Sequence, residues 1–484
     1  MRRFILGLDE GTTNIRSVLY DIDKQDIVDS EAHTFKQYYP HNGWVEQDAL
    51  EIFNKILKAS KDVLKRNAIG KDELLGIGIT NQRETVVAWN RKTGEPIYHA
   101  ICWQCRRSAS FIESLSPKAK ELIREKTGLI PNAYFSASKI KWILDNIPDA
   151  KKLLKTNDLC FGTIDCFLAF KLTGNFVTDT TNASRTMLFN IHTLKWDEEL
   201  LKIFGVQESC LPKVLSCDAK FGTCSNLLYA PLCGIIGDQM SSMVGQGAIS
   251  CGNTKVTYGT GGFVLSNLGT KNDKNFDGLL TTIASTLDGK TEYAVEGSIY
   301  SACSAIDWIK KAFDAYDDVK DTEKLATSIP DNDGVYLVPA FTGLGAPYWK
   351  DDARACLVGM TFGTAKAHIV RATLESMVYN TKAIFDLLKS SGHKFGLVSV
   401  DGGGSKNGFV LQFLADMLNH EITKSKHSES TALGCIYVAM LSLGIIKKND
   451  IKKMSESKKK YLPSMNEKTR KKFYSGWEKA IKNI

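Results

Sequence analysis

Three short stretches rich in Gly and Thr constrain the fold of this chain more than any other feature. They are "LDEGTTNIR" at 8–16, "TYGTGG" at 257–262 and "DGGGSKN" at 401–407, and each follows an apolar run typical of a β-strand. Gly lets backbone N–H groups converge on an anion, and Thr adds hydroxyl donors. One such turn is a weak signal, because ordinary tight turns share its composition. Three turns, spread over both halves of the chain, predict a phosphate-binding cleft.

The first half of the chain reads as alternating strands and helices. Strand-like segments at 4–9, 15–22 and 26–35 are separated by polar turns, and an amphipathic helix follows around 53–64. The apolar segment 74–80 then has the composition of a buried strand. Three strands followed by alternating helix and strand predict an α/β domain with a mixed sheet, in which ligands gather at the strand ends.

Around the middle of the chain this pattern starts again. "KVTYGTGGFVLSN" at 255–267 is a second strand, turn and strand, and "LVSVDGGGSKN" at 397–407 is a further strand leading into a glycine turn. A chain of 484 residues is long enough for two or three domains. We therefore expect two α/β domains, 1–246 and 247–484, with a hinge in the small-residue segment 244–253 and a cleft between them.

The net charge of +8 comes from the end of the chain. Residues 446–484 contain 13 Lys and Arg against 4 Asp and Glu, so this tail carries +9 and the remainder −1. The solvated face of C-terminal helices explains such a tail more simply than an anionic partner does. We expect no nucleic-acid partner.

Apolar runs and cysteines bear on the compartment. No stretch approaches the roughly 20 apolar residues of a membrane helix, and "MRRFILGLDEGTT" turns polar too soon for a signal peptide. The twelve cysteines are spread from Cys102 to Cys435 without the spacing of a disulfide framework. We expect a cytoplasmic protein with free thiols and no membrane insertion.

Two motifs suggest other classes of enzyme. Cys102 and Cys105 form a Cys-x-x-Cys pair, and the arginines that follow could lower a thiolate pKa, as in a thiol-redox centre. Ser136 and Lys139 form a Ser-x-x-Lys, the start of the penicillin-binding trio. The companion Lys-Thr-Gly of that trio precedes the serine, which is the wrong order. A redox role would need one of the cysteines at a helix N-terminus after a thioredoxin-like start.

The order Asp-x-Gly-Thr-Thr, Gly-Thr-Gly and Asp-Gly-Gly-Gly resembles the superfamily of sugar kinases, actin and heat-shock chaperones. Within it, the chain resembles the FGGY carbohydrate kinases, above all those acting on glycerol. The motifs that carry this resemblance are "GWVEQD" at 43–48, "TNQRET" at 80–85, "FGTIDCFLAFKLTG" at 161–174, "GDQ" at 237–239, "TYGTGGF" at 257–263 and "GLGAPYW" at 343–349. The fold that the resemblance implies is a pair of actin-like, ribonuclease H-like domains.

The resemblance also implies an activity, transfer of a phosphoryl group from ATP to glycerol with Mg²⁺, giving sn-glycerol 3-phosphate. Asp238 would be the general base, and Asp9 would lie on the metal side. The substrate residues that the resemblance implies are Arg83, Glu84, Trp103, Tyr134, Asp238, Gln239 and Phe263. The nucleotide residues that it implies are Thr12, Thr13, Asn14, Arg16, Thr260, Gly261, Gly403 and Asn407.

Some positions depart from the family pattern. Cys105 stands where relatives have an Asp, at a position interpreted as a helix cap, and a thiol caps poorly. Cys303 and Asp307 differ from relatives near the expected nucleotide site. The segment before "GDQ" lacks the glycine-rich loop through which some relatives bind fructose bisphosphate, so we expect no such control. The resemblance further implies a homo-oligomer, a dimer or a tetramer.

Two alternatives remain open within this superfamily. One is a kinase for another small polyol or ketose, although a narrow slot between Trp103 and Phe263 favours three carbons. The other is a catalytically weakened, actin-like nucleotide-binding protein. Such a protein has no reason to keep Arg83, Glu84, Tyr134 and Asp238 together.

Overall fold

A computed structural model describes residues 2–272, 276–350, 352–457, 459–482 and 484. The strands of the first half are β1 (Phe4–Glu10), β2 (Asn14–Asp21), β3 (Asp26–Thr34), β4 (Gln37–Tyr38), β5 (Glu46–Gln47), β6 (Leu74–Asn81), β7 (Val86–Asn90), β8 (Ala100–Ile101), β9 (Leu159–Thr163), β10 (Val177–Asp179), β11 (Phe189–Asn190), β12 (Lys195–Trp196), β13 (Lys213–Leu215), β14 (Gly222–Cys224) and β15 (Ala230–Gly237). Its helices are α1 (Ala49–Arg66), α2 (Ala109–Ser114), α3 (Pro117–Thr127), α4 (Ser136–Asn146), α5 (Pro148–Lys155), α6 (Ile164–Thr173), α7 (Thr180–Ala183), α8 (Glu198–Phe204) and α9 (Asp238–Gly245).

The strands of the second half are β16 (Thr254–Tyr258), β17 (Gly262–Gly269), β18 (Leu280–Leu287), β19 (Lys290–Ile299), β20 (Tyr336–Val338), β21 (Cys356–Val358), β22 (Val398–Asp401), β23 (Ile422–Lys424) and β24 (Lys460–Tyr461). Its helices are α10 (Cys303–Phe313), α11 (Asp321–Thr327), α12 (Lys366–Ser390), α13 (Gly408–Leu418), α14 (Ser430–Ser442), α15 (Lys448–Ser455) and α16 (Glu467–Lys482). Short 3-10 turns lie at Glu208–Cys210 and Gly403–Lys406.

Both halves are built around a mixed sheet of the same design. In the first, the order is β14-β15-β6-β1-β2-β3, with β1 antiparallel to β2 and parallel to β6. In the second, the order is β18-β19-β17-β16-β22-β23-β24, with β16 antiparallel to β17 and parallel to β22. The predicted α/β fold class with mixed sheets is confirmed. The exact division at residue 246 stays a prediction.

Local sequence explains the first helix well. α1 buries Ile52, Phe53, Ile56 and Val63 on one face, the helical spacing of a core-facing stripe. The Asp48 side chain accepts hydrogen bonds from the backbone N–H groups of Leu50 and Glu51, which are free at a helix start. The helix extends beyond the predicted 53–64 at both ends, and the Asp48 cap fixes its start at Ala49.

Helix α14 belongs to the second half of the chain but packs on the first sheet. It contacts β1, β6 and β15 as well as α9. Gly78 in β6 allows this approach, because a Cβ there would lie 2.4 Å from the Cys435 carbonyl oxygen. A Gly at such a point permits a backbone contact that no other residue allows. α14 thus packs directly on three strands of the first sheet, β1, β6 and β15.

The basic tail forms α15, β24 and α16. α16 buries Phe473 and Trp477 in the same core cluster as residues of α12 and α13, while its lysines are exposed. This is the solvated helix face that the charge pattern predicts. Among the described residues, no helix is long and apolar enough to cross a membrane. All twelve cysteines are free thiols.

Candidate active site

The two sheets present their strand ends to each other, and polar side chains fill that junction. Asp9 and Glu10 end β1, and Asp238 follows β15 at the start of α9. From the second sheet, Tyr258 ends β16 and Asp401 ends β22, each followed by a glycine turn. Strand ends of open α/β sheets are where ligands bind. The junction has a charged, buried end and an open, glycine-rich end.

Arg83 is the centre of the buried end. Its Nε lies 3.0 Å from Asp238 Oδ1, and its Nη1 lies 2.7 Å from Glu296 Oε2. Only 2% of the Arg83 side chain is exposed, against 29% for Asp238. The guanidinium group therefore joins one carboxylate of the first half to one of the second half.

A second buried arginine completes this network. Arg185 donates from Nε to Glu84 Oε1 at 2.6 Å and from Nη2 to Glu296 Oε1 at 3.2 Å. Its ring neighbours are Tyr134 and Phe135, at 6.0 and 5.1 Å from the guanidinium carbon. Buried charges are tolerated when each has a partner of opposite sign. Along this network Arg83, Glu296, Arg185 and Glu84 follow one another, so that each charge is next to one of opposite sign.

Burial and pairing shift the pKa values of these groups in opposite directions. Burial by itself raises the pKa of Glu296, but the Arg185 and Arg83 guanidinium groups outweigh it and lower that pKa to about 2. Burial lowers the pKa of Arg83, yet Glu296, Glu84 and Asp238 raise it well above its usual value. Burial raises the pKa of Glu84 in spite of both arginines. The Glu296 carboxylate is thus the firmly ionised anion of the network.

The backbone around Glu84 is held in a rare conformation. Its φ is +63°, in the left-handed region that a non-glycine residue seldom adopts. The Ser136 hydroxyl donates to the Glu84 carbonyl oxygen at 3.0 Å. Lys139 donates to backbone carbonyl oxygens of the preceding turn, among them that of Tyr134 at 2.7 Å. Ser136 supports the backbone at Glu84 and Lys139 supports the turn before α4, and neither is hydrogen-bonded to the other, so their spacing does not mark an acyl enzyme.

Trp103 and Tyr134 form an aromatic wall beside this network. Their ring centroids lie 5.2 Å apart, and both side chains are half-buried. The Trp103 indole N–H donates to Thr12 Oγ1 at 3.0 Å, which links the wall to the first glycine turn. Phe263 is half-buried on β17 and packs against a hydrophobic cluster that contains residues of both halves of the chain.

The cysteines beside Trp103 are structural. Burial raises the pKa of the Cys102 thiol to about 12, which is the opposite of an activated thiolate. Cys105 Sγ accepts from Arg107 Nε at 3.0 Å. The interpretation of position 105 as a helix cap is wrong here, since α2 begins at Ala109 with Ser108 in the N-cap position. The Cys-x-x-Cys pair is not a redox centre.

Lys255 is a buried cation that connects the charged end to the open end. Its Nζ contacts Gln239 Oε1 and lies 2.9 Å from Thr257 Oγ1. Burial lowers its pKa to about 8, although Asp401 and Asp238 oppose that shift. Thr257 in turn donates to Asp401. These contacts fix Gln239 beside Asp238.

The first glycine turn is held by its neighbours yet stays open. Gly11 N–H donates to the Asn14 carbonyl oxygen at 2.9 Å, and the Thr12 carbonyl oxygen accepts from the Gln37 and Gln47 side-chain amides. Thr13 and Asn14 are exposed. Arg16 contacts Glu429 at the start of α14.

The second turn is fixed through its carbonyl groups. The Gly259 and Thr260 carbonyl oxygens accept from the first N–H groups of α10, those of Cys303 and Ala302 respectively. Thr260 is exposed, and a Cβ on Gly261 would lie 2.7 Å from the Ile299 carbonyl oxygen. Asp307 is exposed on α10.

The third turn leads from β22 into α13. Gly402 has a φ of +83°, and Gly403 is exposed. Asn407 caps α13 by accepting from the Val410 N–H at 3.2 Å, and it donates to Thr322 Oγ1 at 3.1 Å. Asn407 therefore has a structural role besides any contact with a nucleotide.

Asp9 and Glu10 place two acidic side chains where the charged end and the open end of the junction meet. Burial and the nearby Asp238 carboxylate raise the pKa of Asp9 to about 7, although Arg16 opposes them. Burial raises the pKa of Glu10 well above its usual value, against hydrogen bonds from Gln82. A cation bound here would lower both pKa values and favour the ionised carboxylates.

Comparison with known proteins identifies the family. The model of the FGGY carbohydrate kinase N-terminal domain matches residues 4–245, and that of the C-terminal domain matches 254–443. The chain belongs to the FGGY family of carbohydrate kinases. It is 45% identical to a glycerol kinase of Brachyspira hyodysenteriae, over 99% of this chain and 98% of the relative. It is 44% identical to that of Thermococcus onnurineus, over 100% and 98%.

Solved structures agree with this family assignment. Plasmodium falciparum glycerol kinase with ADP superposes with a TM-score of 0.94 at 38% identity, covering 100% of this chain and 98% of that one. Gluconate kinase from Lactobacillus acidophilus superposes with a TM-score of 0.88 at 25% identity, covering 99% and 96%. The FGGY kinase fold extends over the whole chain.

The structure brings most of the predicted residues of this FGGY kinase to the junction. Arg83, Glu84, Trp103, Tyr134 and Asp238 lie at the charged end. The three turns, with the predicted nucleotide residues, surround the open end. Their individual roles stay predictions.

Sequence reasoning missed Arg185, Glu296 and Lys255. Arg185 lies in "NASRTM" and Glu296 in "YAVEGSIY", where single charges stand among apolar and small residues. A charge in such surroundings is almost never fully buried unless it is paired. That signal could have marked Arg185 and Glu296 as members of buried ion pairs, but it does not identify their partners.

Proposed function

We propose that this kinase transfers the terminal phosphoryl group of ATP to a terminal hydroxyl of glycerol, giving sn-glycerol 3-phosphate. The observation that carries the proposal is the closed set of Arg83, Glu84 and Asp238 beside the Trp103–Tyr134 wall. Its curated relatives at 44–45% identity over almost their whole length are glycerol kinases.

A small polyol suits the chemistry of the charged end. Each hydroxyl both donates and accepts, and leaving one unpaired on burial costs about 1–3 kcal/mol. Arg83 supplies donors, while Glu84 and Asp238 supply acceptors. The aromatic rings of Trp103 and Tyr134 cover the carbon backbone, where no hydrogen bond is needed.

Asp238 is the proposed general base. Arg83 Nε and the Gln239 N–H both donate to its Oδ1, at 3.0 and 2.6 Å. Within the described residues no hydrogen bond is made to Oδ2, so that oxygen is available for the proton of the attacking hydroxyl. A base placed in this way contributes about 10²–10⁴-fold to the rate. Positioning and neutralisation of charge supply most of the remainder in phosphoryl transfer.

The three glycine turns are the proposed nucleotide site. Thr12, Thr13, Asn14 and Arg16 would meet the phosphates from the first domain, and Thr260 with Gly261 from the second. Gly403 and Asn407 would lie on the adenosine side. The N–H groups of an exposed turn can bind an anion, and these groups carry no charge that would have to be desolvated.

Mg²⁺ fits the carboxylates at this junction. Within the described residues no group of three or more acidic, His or Cys side chains could hold a metal by themselves. Mg²⁺ commonly takes one or two carboxylates and completes its shell with water and substrate phosphates. Asp9 would hold it, with Asp238 nearby. The ion supplies neutralisation of phosphate charge when bound.

Release of ADP from ATP and Mg²⁺ tests the proposal against glycerol, dihydroxyacetone, erythritol, xylulose and ribulose. We expect turnover on glycerol that is lost in Asp238→Asn, with ATP binding unchanged in the variant. Turnover on a longer substrate alone would replace glycerol and keep the mechanism. No turnover on any of them, with ATP still bound, would indicate a catalytically weakened relative. A cytoplasmic location and a homo-oligomer are further predictions.

A further inference from the structure

Glu296 reaches the substrate site of the first domain from the sheet of the second. We propose that Glu296 is the positioning residue that fixes Arg83 and, through Arg185, Glu84 in the geometry that receives the polyol. The proposal rests on the proposed function, since it concerns the same site. It makes the polyol site a joint product of both domains, although Arg83, Glu84 and Asp238 all belong to the first.

The contacts of Glu296 are those of a central bridge. Its Oε2 lies 2.7 Å from Arg83 Nη1, and its Oε1 lies 3.3 Å from Arg83 Nη2 and 3.2 Å from Arg185 Nη2. The contact between Glu296 and Arg83 is bidentate, a geometry that fixes the plane of the guanidinium group. Ser298 Oγ adds a weaker contact to Oε1 at 3.4 Å. The Glu296 and Arg185 side chains are fully buried.

The backbone that carries Glu296 is rigid. β19 lies between β17 and β18, and Glu296 pairs with Leu265 on one side and Leu280 on the other. A site built on a strand that is paired on both edges is positioned more sharply than one built on a loop. Glu296 therefore provides a fixed point from which two flexible arginine side chains are held.

Arg185 transmits this positioning to Glu84. It is bound to Glu84 by Nε and to Glu296 by Nη2, so the two carboxylates share one guanidinium group. Its Nη1 is buried and has no hydrogen-bond partner within the described residues. A purely structural ion pair would be expected to satisfy that donor as well. Arg185 thus depends on its two carboxylates for its place.

Loss of the Glu296 charge has a specific consequence for the substrate. Arg83 and Arg185 would keep their charges but lose the anion between them. The two guanidinium groups would repel, and Arg83 would turn from the polyol toward Asp238. We expect weaker polyol binding and little change in ATP binding, because the three glycine turns keep their own backbone contacts.

The test compares Glu296→Gln with Glu292→Gln. Gln keeps the shape of Glu and removes its charge. Glu292 lies on the same strand and pairs with Lys448 at 2.5 Å, away from the site, so it is a matched control. Steady-state KM values for glycerol and ATP are measured, with calorimetric Kd values for glycerol and for MgADP. We expect Glu296→Gln to raise the glycerol KM and Kd at least 30-fold and the nucleotide values less than threefold.

Other outcomes would overturn the proposal. Equal losses for polyol and nucleotide would indicate a general structural role, and unchanged glycerol binding would remove the positioning role. If Glu296→Gln does not fold, Glu296→Asp, which keeps the charge but shortens the reach, is held to the same criterion. If the wild type binds a polyol without turnover, the proposed function is contradicted. The Kd values of Glu296→Gln and Glu292→Gln for that polyol would then still test the role of Glu296. A wild type that binds no polyol overturns both.

Discussion

The charged end and the open end of the junction suit different kinds of ligand. At the charged end, the side chains of Arg83, Glu84, Arg185 and Glu296 are buried and paired with one another before any ligand enters. At the open end, Thr13, Asn14, Thr260 and Gly403 are exposed, and the turns are anchored through backbone carbonyl groups. The difference follows from the proposed ligands. A neutral polyol offers only directional hydroxyl groups, whereas a polyphosphate offers charge that backbone N–H groups can meet from many directions.

This difference indicates which substitutions should impair each end of the junction. The charged end depends on particular side chains, since each buried charge relies on the others. The open end depends on backbone shape, so the loss of one hydroxyl group there leaves most of the site intact.

The largest expected effect is at Arg83. Arg83→Gln leaves Asp238 and Glu296 without the cation that joins them, so kcat/KM for glycerol should fall at least 10³-fold, as steady-state kinetics would measure. Breaking a buried ion pair costs about 3–5 kcal/mol of unfolding free energy, which urea unfolding would show. The control is Arg66→Gln, an exposed arginine paired with Asp29 and Glu31, for which about 0–1 kcal/mol is expected. Equal losses in the two variants would contradict the distinction between buried and exposed pairs.

The pH dependence of stability should isolate Glu296. Its pKa of about 2 in the folded protein lies below the ordinary value of 4.5, so its ionisation stabilises the fold above pH 4.5. That contribution is lost as the pH falls from 4.5 toward 2, and its size is on the order of 3 kcal/mol. The difference in Tm between wild type and Glu296→Gln should be constant from pH 8 to 5 and narrow below pH 4.5. A difference that stays constant down to pH 3 would show that the carboxylate is not held ionised by the arginines.

A smaller effect is expected at the open end, with backbone shape outweighing side chains. Gly261→Ala places a Cβ 2.7 Å from the Ile299 carbonyl oxygen and should raise the ATP KM about tenfold through displacement of the turn. Thr260→Ala removes one exposed hydroxyl group, worth about 0.5–1.5 kcal/mol, and should raise the ATP KM only two- to tenfold. The glycerol KM should change less than twofold in both. A larger loss for Thr260→Ala than for Gly261→Ala would reverse the interpretation.

The smallest effect is expected at Cys105. Cys105→Ser keeps an acceptor for Arg107 Nε in a buried position that does not cap a helix, so kcat and both KM values should stay within twofold. Activity should also be the same with and without a thiol reductant, since Cys102 and Cys105 are free thiols and the pKa of Cys102 is raised. Dependence on a reductant would restore a redox role for the pair.

Much of the fold could be predicted because its signals are local. The strands β1, β2, β6, β16, β17 and β22 coincide with apolar runs bounded by polar or glycine turns. The Asp48 cap and the apolar stripe of α1 lie within a few residues of each other. The position of α14 could not be predicted in this way, because its contact with Gly78 joins residues far apart in sequence. The cap role assigned to position 105 was wrong because α2 begins only at Ala109, with Ser108 in the N-cap position.

The sequence by itself determined the two α/β halves, the three glycine turns and the motifs that carry the family resemblance. Short-range periodicity and turn chemistry are written in consecutive residues, so they can be read without the fold. Only the tertiary structure decided that Glu296 meets Arg83 and Arg185, that Lys255 holds Gln239, and that Ser136 supports the Glu84 turn. The partner of a buried charge is chosen by the packing of distant strands, and a single sequence contains no local signal for that choice.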